Sequence, residues 1–266
     1  MLTNGELQIG HNVTINGPGA ASLAVNGNAQ SRVFHNFPGV TASISGLTVT
    51  NGFTSGNYPA NEGAGIFNDQ AALTLSNCLV TGNSAPGNVG TGGGISNDAS
   101  GSSATLQIDN CTVSNNSVSY EGGGIGNPNG AVTVTNSTIS DNSAGYAGGG
   151  ISNPSHGGTL TLMNTTISRN SAGAYGGVVQ NDGTLTVNNS TMSDNSAGTS
   201  GGGIYNEYIS GGTVIVNYST ISGNTATTSG GGIANLATNG GHVFCERFSA
   251  EILWRNLPRS SRRPFT

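Results

Sequence analysis

The sequence predicts an all-β protein, a single-stranded parallel β-helix of about seven full coils with partial coils at its ends, and three observations carry that prediction. The first is a recurring unit: GAGIFN (63–68), GGGISN (92–97), GGGIGN (122–127), GGGISN (148–153), GGVVQN (176–181), GGGIYN (201–206) and GGGIAN (230–235). Its apolar anchors Ile66, Ile95, Ile125, Ile151, Val179, Ile204 and Ile233 are spaced by 29, 30, 26, 28, 25 and 29 residues. A period that varies only in its turns marks one structural rung, repeated. The second is a companion segment after each of the first six units, from LTLSNCLVTGN (73–83) through VTVTNSTISDN (132–142) to VIVNYSTISGN (214–224). The third is the alternation of apolar and polar residues within L-T-L and V-T-V, the period of two of a half-buried strand. Thr, Val and Ile favour strands while Gly and Asn mark corners, and no segment of the body has a helical period.

Taken in order, ELQIGHNVTING (6–17) reads as a partial coil, and SRVFHN (31–36) with TASISGLTVTNG (41–52) as a full one. Seven coils spaced ~4.8 Å apart make a column roughly 35 Å tall. Stacking turns columns of sequence into columns in space. Val80, Val113, Ile139, Ile167, Met192 and Ile221 form an inward column, as do Leu73/Leu75, Leu106/Ile108 and their equivalents. Two Asn columns follow the same register, one from Asn68 to Asn235 and one from Asn83 to Asn224, where amides can hydrogen-bond from rung to rung. The glycines before each anchor mark a corner where no side chain fits. Cys78 and Cys111 share one slot on adjacent coils, within disulfide range but with poor in-register geometry, and read as free inward thiols.

The pairing of [IV]-S-x-N with G-G-[AG]-I, as in ISDNSAGYAGGGI (139–151), resembles the F-x-x-N and G-G-A-I repeats of polymorphic outer membrane proteins, and more widely bacterial right-handed β-helix repeat proteins. The resemblance spans roughly residues 5–240. It implies a right-handed, pectin-lyase-like solenoid and an autotransporter-type passenger, exposed outside the cell or on the outer membrane, with no particular activity. Here Ile, Val or Met replaces the usual Phe, and no C-terminal barrel follows. The start, Met1-Leu-Thr-Asn-Gly, lacks a signal-peptide pattern, so the repeat domain (1–241) is expected to be truncated at its N-terminus. Residues 242–266 change character: five of seven Arg and the single Trp fall there. Phe244, Cys245, Phe248, Ile252 and Leu257 could line a short capping helix, the alternative being foreign sequence.

Charged residues are only 7%, with a net charge of −5 and no Lys, and no basic patch lies on the body. Nucleic acid is therefore excluded as a partner, and no apolar run reaches the ~20 residues of a membrane span. No Cys/His cluster has metal-ligand spacing, and His11, His35, His156 and His242 read as surface or turn residues. The best chemical signal is an acid column three residues after each anchor, where Asp69/Asp98 and Asp182/Glu207 are neighbours on adjacent coils. Carboxylates about 5 Å apart could bind Ca²⁺ or act as a retaining glycosidase pair. The alternative, which the interchange with Pro128 and Pro154 favours, is that Asn-Asp and Asn-Pro start turns. Pectate lyases share the fold implied by the resemblance, and their elimination needs a base beside Ca²⁺. The body offers only Arg32 and Arg169, the latter between Asp141 and Asp194 in a −/+/− column.

Three function classes stay open, with oligomeric state unread. The favoured one is a non-catalytic, adhesin-like surface protein that needs no cofactor and binds a glycan or a host or cell-surface protein. Its expected surface is Tyr120 and Tyr146, each five residues before an anchor and able to stack on sugar rings, with Thr138, Thr166 and Thr191. The second is a polysaccharide lyase or glycoside hydrolase using the weak candidates Asp69, Asp98, Asp182 and Glu207. The third is an ice- or crystal-surface binder presenting the T-x-S row from Thr112/Ser114 to Thr220/Ser222.

Overall fold

A computed structural model describes residues 1–87, 89–155, 157–206, 212–236, 241–246 and, as backbone, 249–250. The chain is a right-handed parallel β-solenoid of about eight turns. Among the described residues, three nine-stranded sheets run the length of the column. The first begins at Leu7–Ile9 and ends at Ile233–Asn235, the second runs from Val13–Asn16 to His242–Glu246, and the third from Ala24–Asn26 to Ser249–Ala250. A fourth sheet of six two-residue strands, Ser84–Ala85 to Thr225–Ala226, lies after the second Asn column, where the sequence suggests only a turn. Residues 6–26 make a complete first coil with a strand in each long sheet, not the expected partial one.

Each rung pairs residue for residue with the next, because the period of two puts the same side chain inward on every coil. Ile66, Ile95, Ile125, Ile151, Val179 and Ile204 are partners in succession and fully buried. Val80, Val113, Ile139, Ile167, Met192 and Ile221 form the second expected column, equally buried. The two Asn columns are continuous amide ladders. In the first, Nδ2 of Asn36, Asn68, Asn97, Asn127, Asn153, Asn181 and Asn206 each donates to Oδ1 on the next coil at 2.7–2.9 Å. In the second, Asn83 to Asn224 are linked at 2.8–3.0 Å, and each Oδ1 also accepts a backbone N–H from the coil before it. At the glycine corner, a Cβ on Gly123 would lie 2.3 Å from the Gly149 carbonyl oxygen, so no side chain fits there.

Several expectations need correcting. The strand His242–Glu246 lies beyond the boundary expected after residue 241. Val243 and Cys245 pair with Val214 and Val216, repeating that coil's alternation, so this segment is a strand and not the start of a helix. Phe244 is 55% exposed on its outer side. Phe248, Ile252, Leu257 and the five tail arginines lie outside the described residues. The −/+/− column is not a strand position. Asp141, Arg169 and Asp194 all have φ of 56–58° and share a left-handed corner with Asn51, Gly82, Asn115 and Gly223. Arg169 grips Asp141 through two hydrogen bonds of 2.8 and 2.9 Å, whereas the Asp194 carboxylate leans onto Gly223 of the following coil, so one pair forms instead of two. The Arg169 hydrogen bond holds the Asp141 carboxyl below its ordinary value. Cys78 and Cys111 are free and buried, the Cys78 N–H donating to Cys111 Sγ at 3.3 Å. On the coils that follow, Ser137, Ser190 and Ser219 hydroxyls accept the equivalent backbone N–H.

Candidate functional site

The rung dictates what lies inside the column, so the chemistry collects on the outer side of the first sheet. There the residue after each anchor faces the loop that precedes the glycine corner. Reading up the column, His35, Phe67, Ser96, Gly126, Ser152, Gln180 and Tyr205 occupy the sheet position in register. Over them lie Arg32, Glu62, Thr91, Glu121, Ala147 and Tyr175, the last four joined by parallel bridges.

At the N-terminal end this stripe is charged. Arg32, only 7% exposed, donates Nη1 to Glu6 Oε2 at 2.7 Å and Nε to the carbonyls of Glu62 and Gly63 at 2.9 and 3.2 Å. Its Nη2 reaches the carbonyls of Pro59 and Ala60, and its guanidinium lies 5.0 Å from the Phe67 ring centre. His35 Nδ1 is 3.1 Å from Glu6 Oε1 and Nε2 is 3.6 Å from Asp69 Oδ2, with the ring between Phe37 and Phe67. Partial burial raises the Glu6 carboxyl, but the His35 hydrogen bond and the charges of Arg32 and His35 outweigh it and hold the pKa down to about 2. Glu62 is buried, accepting hydrogen bonds from Thr91 and, at 2.8 Å, from Ser96. Its burial pushes that carboxyl above the ordinary range.

Asp69 and Asp98 are register partners next to this cluster. Asp69 Oδ1 accepts from Gln70 at 3.0 Å. Asp98 is 1% exposed and accepts the Tyr58 hydroxyl at 2.9 Å together with the N–H and hydroxyl of Ser100, the pattern of a turn-starting Asp. Partial burial of the Tyr58 oxygen and its bond to Asp98 push that phenol up to about 12. A basic partner does stand beside the acid pair: His35, expected as a surface or turn residue, touches Asp69 from a half-buried strand position. Asp182 is half-buried, its N–H donating to the Asn153 carbonyl, and Glu207 lies outside the described residues. Among the described residues, no three or more His, Cys, Asp or Glu side chains converge as a metal site would require.

Further along, the stripe turns aromatic. Tyr120 and Tyr146 stack on adjacent coils at 5.1 Å and 4°. Tyr146 meets Tyr175 edge-on at 5.6 Å, and Tyr175 stacks on Tyr205 at 4.5 Å. The expected pair is thus half of a four-ring ladder across four coils, with Tyr146 39% exposed and Tyr205 6% exposed. Tyr175 and Tyr205 escape a column search because they stand four before and one after their anchors, whereas the other two stand five before. Along the same coils as the ladder, the Ser152 hydroxyl bonds Glu121 Oε2 at 3.3 Å and Gln180 Oε1 at 2.8 Å.

The T-x-S row stands on the third sheet, with Thr138, Thr166 and Thr191 partners on successive coils. Thr166 and Thr191 are exposed and Thr138 half-buried, but Ser114, Ser140 and Ser168 are only 6–7% exposed. On these three coils the serines are withdrawn, Ser114 donating its hydroxyl to Thr81 of the preceding coil at 3.3 Å, whereas Ser193 and Ser222 further along are half-buried.

Fold and repeat define a parallel β-helix repeat protein resembling the polymorphic outer membrane proteins. Residues 189–207, which hold both NSTMSDN and GGGIYN, match the family model of the Chlamydia polymorphic membrane protein repeat. No curated protein and no solved structure matches the chain. Among the described residues, no helix is long and apolar enough to cross a membrane, which says nothing of a β-barrel.

Proposed function

We propose that this chain is a surface-exposed or secreted, adhesin-like β-helix protein that binds a glycan or a partner protein without catalysis. The polymorphic membrane protein repeat supports an outer-membrane or cell-surface location. The observation that carries the binding reading is the ladder Tyr120–Tyr146–Tyr175–Tyr205, rings held one rung apart, Tyr205 on the first sheet and the other three on the segment before the glycine corner. Sugars expose C–H faces that stack on such rings, and rigid tyrosines bind with little entropy to lose. A glycan-array screen with wild type and Tyr146→Ala tests it: hits that weaken in the variant support the reading, and the absence of hits in the wild type removes its glycan half.

A second reading, a polysaccharide lyase or glycoside hydrolase of the pectin-lyase fold, is favoured by one contact, His35 beside Asp69. In it, Asp69 and Asp98 would hold Ca²⁺ or share acid and nucleophile roles. The near-complete burial of Asp98 speaks against it, since a reacting carboxylate must meet substrate. Assay of wild type and Asp69→Asn/Asp98→Asn on pectate and other uronate polymers with Ca²⁺ decides: turnover lost in the double variant would establish the enzyme.

A further inference from the structure

A cavity of about 460 Å³ opens beside the first two coils, apart from the tyrosine ladder, between the segment Gln30–Arg32 and the loop of residues 53–60. Its walls are pinned. The Phe53 N–H donates to the Ser31 carbonyl at 3.0 Å and the Thr54 N–H to Ser84 at 3.2 Å, while Arg32 holds the carbonyls of Pro59 and Ala60. Such a site is largely formed before any ligand arrives, which lowers the entropy cost of binding. Phe53 supplies an apolar surface, and Glu6 supplies a carboxylate fixed from behind by Arg32 and His35. Ser31, Thr54 and Ser55 complete the lining with polar groups.

We propose that this cavity binds a single sugar residue that carries no negative charge. The volume lies low in the range of ligand pockets, roughly 300–1,000 Å³, and suits one or two rings. An aromatic wall with a fixed acceptor and neighbouring hydroxyls matches a ring that has a C–H face and an edge of hydroxyl groups. Charge selects within that class. The Arg32 cation is spent on Glu6, and His35, the other basic group of the lining, stands between Glu6 and Asp69. A uronate or sialate would meet the Glu6 carboxylate with the Arg32 cation already paired to it, whereas a neutral or amino sugar meets an acceptor.

This site is independent of the tyrosine ladder, and the test separates the two. Saturation-transfer NMR and calorimetric titration use methyl hexosides, N-acetylhexosamine and galacturonate against wild type, Phe53→Ala, Glu6→Gln and Tyr146→Ala, each variant first checked by its thermal melt. The expected result is millimolar binding of the neutral sugars, as single residues usually give, with roughly tenfold loss in Phe53→Ala and Glu6→Gln and none in Tyr146→Ala. Galacturonate should bind at least about tenfold more weakly than the neutral sugars. If Glu6→Gln does not fold, Phe53→Ala alone decides. The proposal is overturned by an absence of transfer to every neutral sugar, by binding that survives Phe53→Ala, or by equal binding of galacturonate. Loss in Tyr146→Ala without loss in Phe53→Ala would leave the ladder standing and remove this site.

Discussion

The coils before Gly126 and those from it onward share one rung but solve the outer side of the first sheet differently. Near the N-terminus that surface is held by a buried cation, Arg32, with carboxylates and an imidazole around it. From Gly126 onward the same positions carry Ser, Gln and Tyr, and ion pairing gives way to hydroxyls, amides and stacked rings. The inner columns hardly change between the two regions. A solenoid rung constrains its interior and leaves this outer strip free to vary, so differences in binding chemistry belong to the strip.

The sharpest way to break the common part is Ile125→Asp, which puts an unpaired carboxylate into a fully buried column. Loss of more than about 4 kcal/mol in denaturant unfolding is expected, and a smaller loss would mean the column is not the core. Arg32→Leu attacks the charged region alone. It strands Glu6 and the loop carbonyls that Arg32 holds, for about 3 kcal/mol, with hydrogen exchange accelerated in residues 53–63 and not beyond Gly126. Asn142→Ala does the converse in the array. It removes the acceptor of Asn116 Nδ2 and of the Asn116 N–H, for about 2 kcal/mol, with exchange rising on both flanking coils.

Acid separates the regions more gently. Glu6 has a folded pKa near 2 against an ordinary 4.5, so its stabilisation is fully present above pH 4.5 and is lost as pH falls toward 2. Glu62 works in the opposite sense: its raised pKa favours the fold while protonated, and that contribution fades as pH rises past the ordinary carboxyl range. Glu6→Gln should flatten the acid limb of the melting curve below pH 4.5, while wild type and variant keep the same slope above it. The smallest effect expected is that of Arg169→Gly. Its ion pair is solvent-exposed and its φ of 56° suits glycine, so the thermal midpoint should not move beyond measurement error.

What repeats was legible in the sequence. The anchors, the inward columns, both Asn ladders and the glycine corner each occur on nearly every coil, so a wrong reading at one coil would have shown at the next. The left-handed corner at Arg169 was also on view, because Asn51, Gly82, Asn115 and Gly223 fill its slot and these residues favour positive φ. What occurs once was hidden. Glu6, Arg32, His35 and Glu62 meet across separations of 26 to 30 residues, and apart from Glu121 in the slot of Glu62 their residue types do not recur in register on other coils. The tyrosine ladder runs diagonally across slots, and its continuity depends on ring positions that spacing does not encode.

The Asn ladders carry a direction. In each, the amide nitrogen points toward the C-terminal coil and the oxygen receives from the N-terminal one. Side-chain dipoles that add head to tail polarise one another, so the column has a grain, like fibres laid one way in a cord. At its N-terminal end the first ladder meets Ile9, which pairs with Asn36, and the Asn36 oxygen has no donor. At its other end Asn235 spends its nitrogen on the Gly241 carbonyl. The two ends are therefore chemically unlike: a further rung set against Asn36 must bring a donor, and one set beyond Asn235 an acceptor. Rungs of this kind join in one orientation only, and a block inserted upside down would oppose oxygen to oxygen in a place no water reaches.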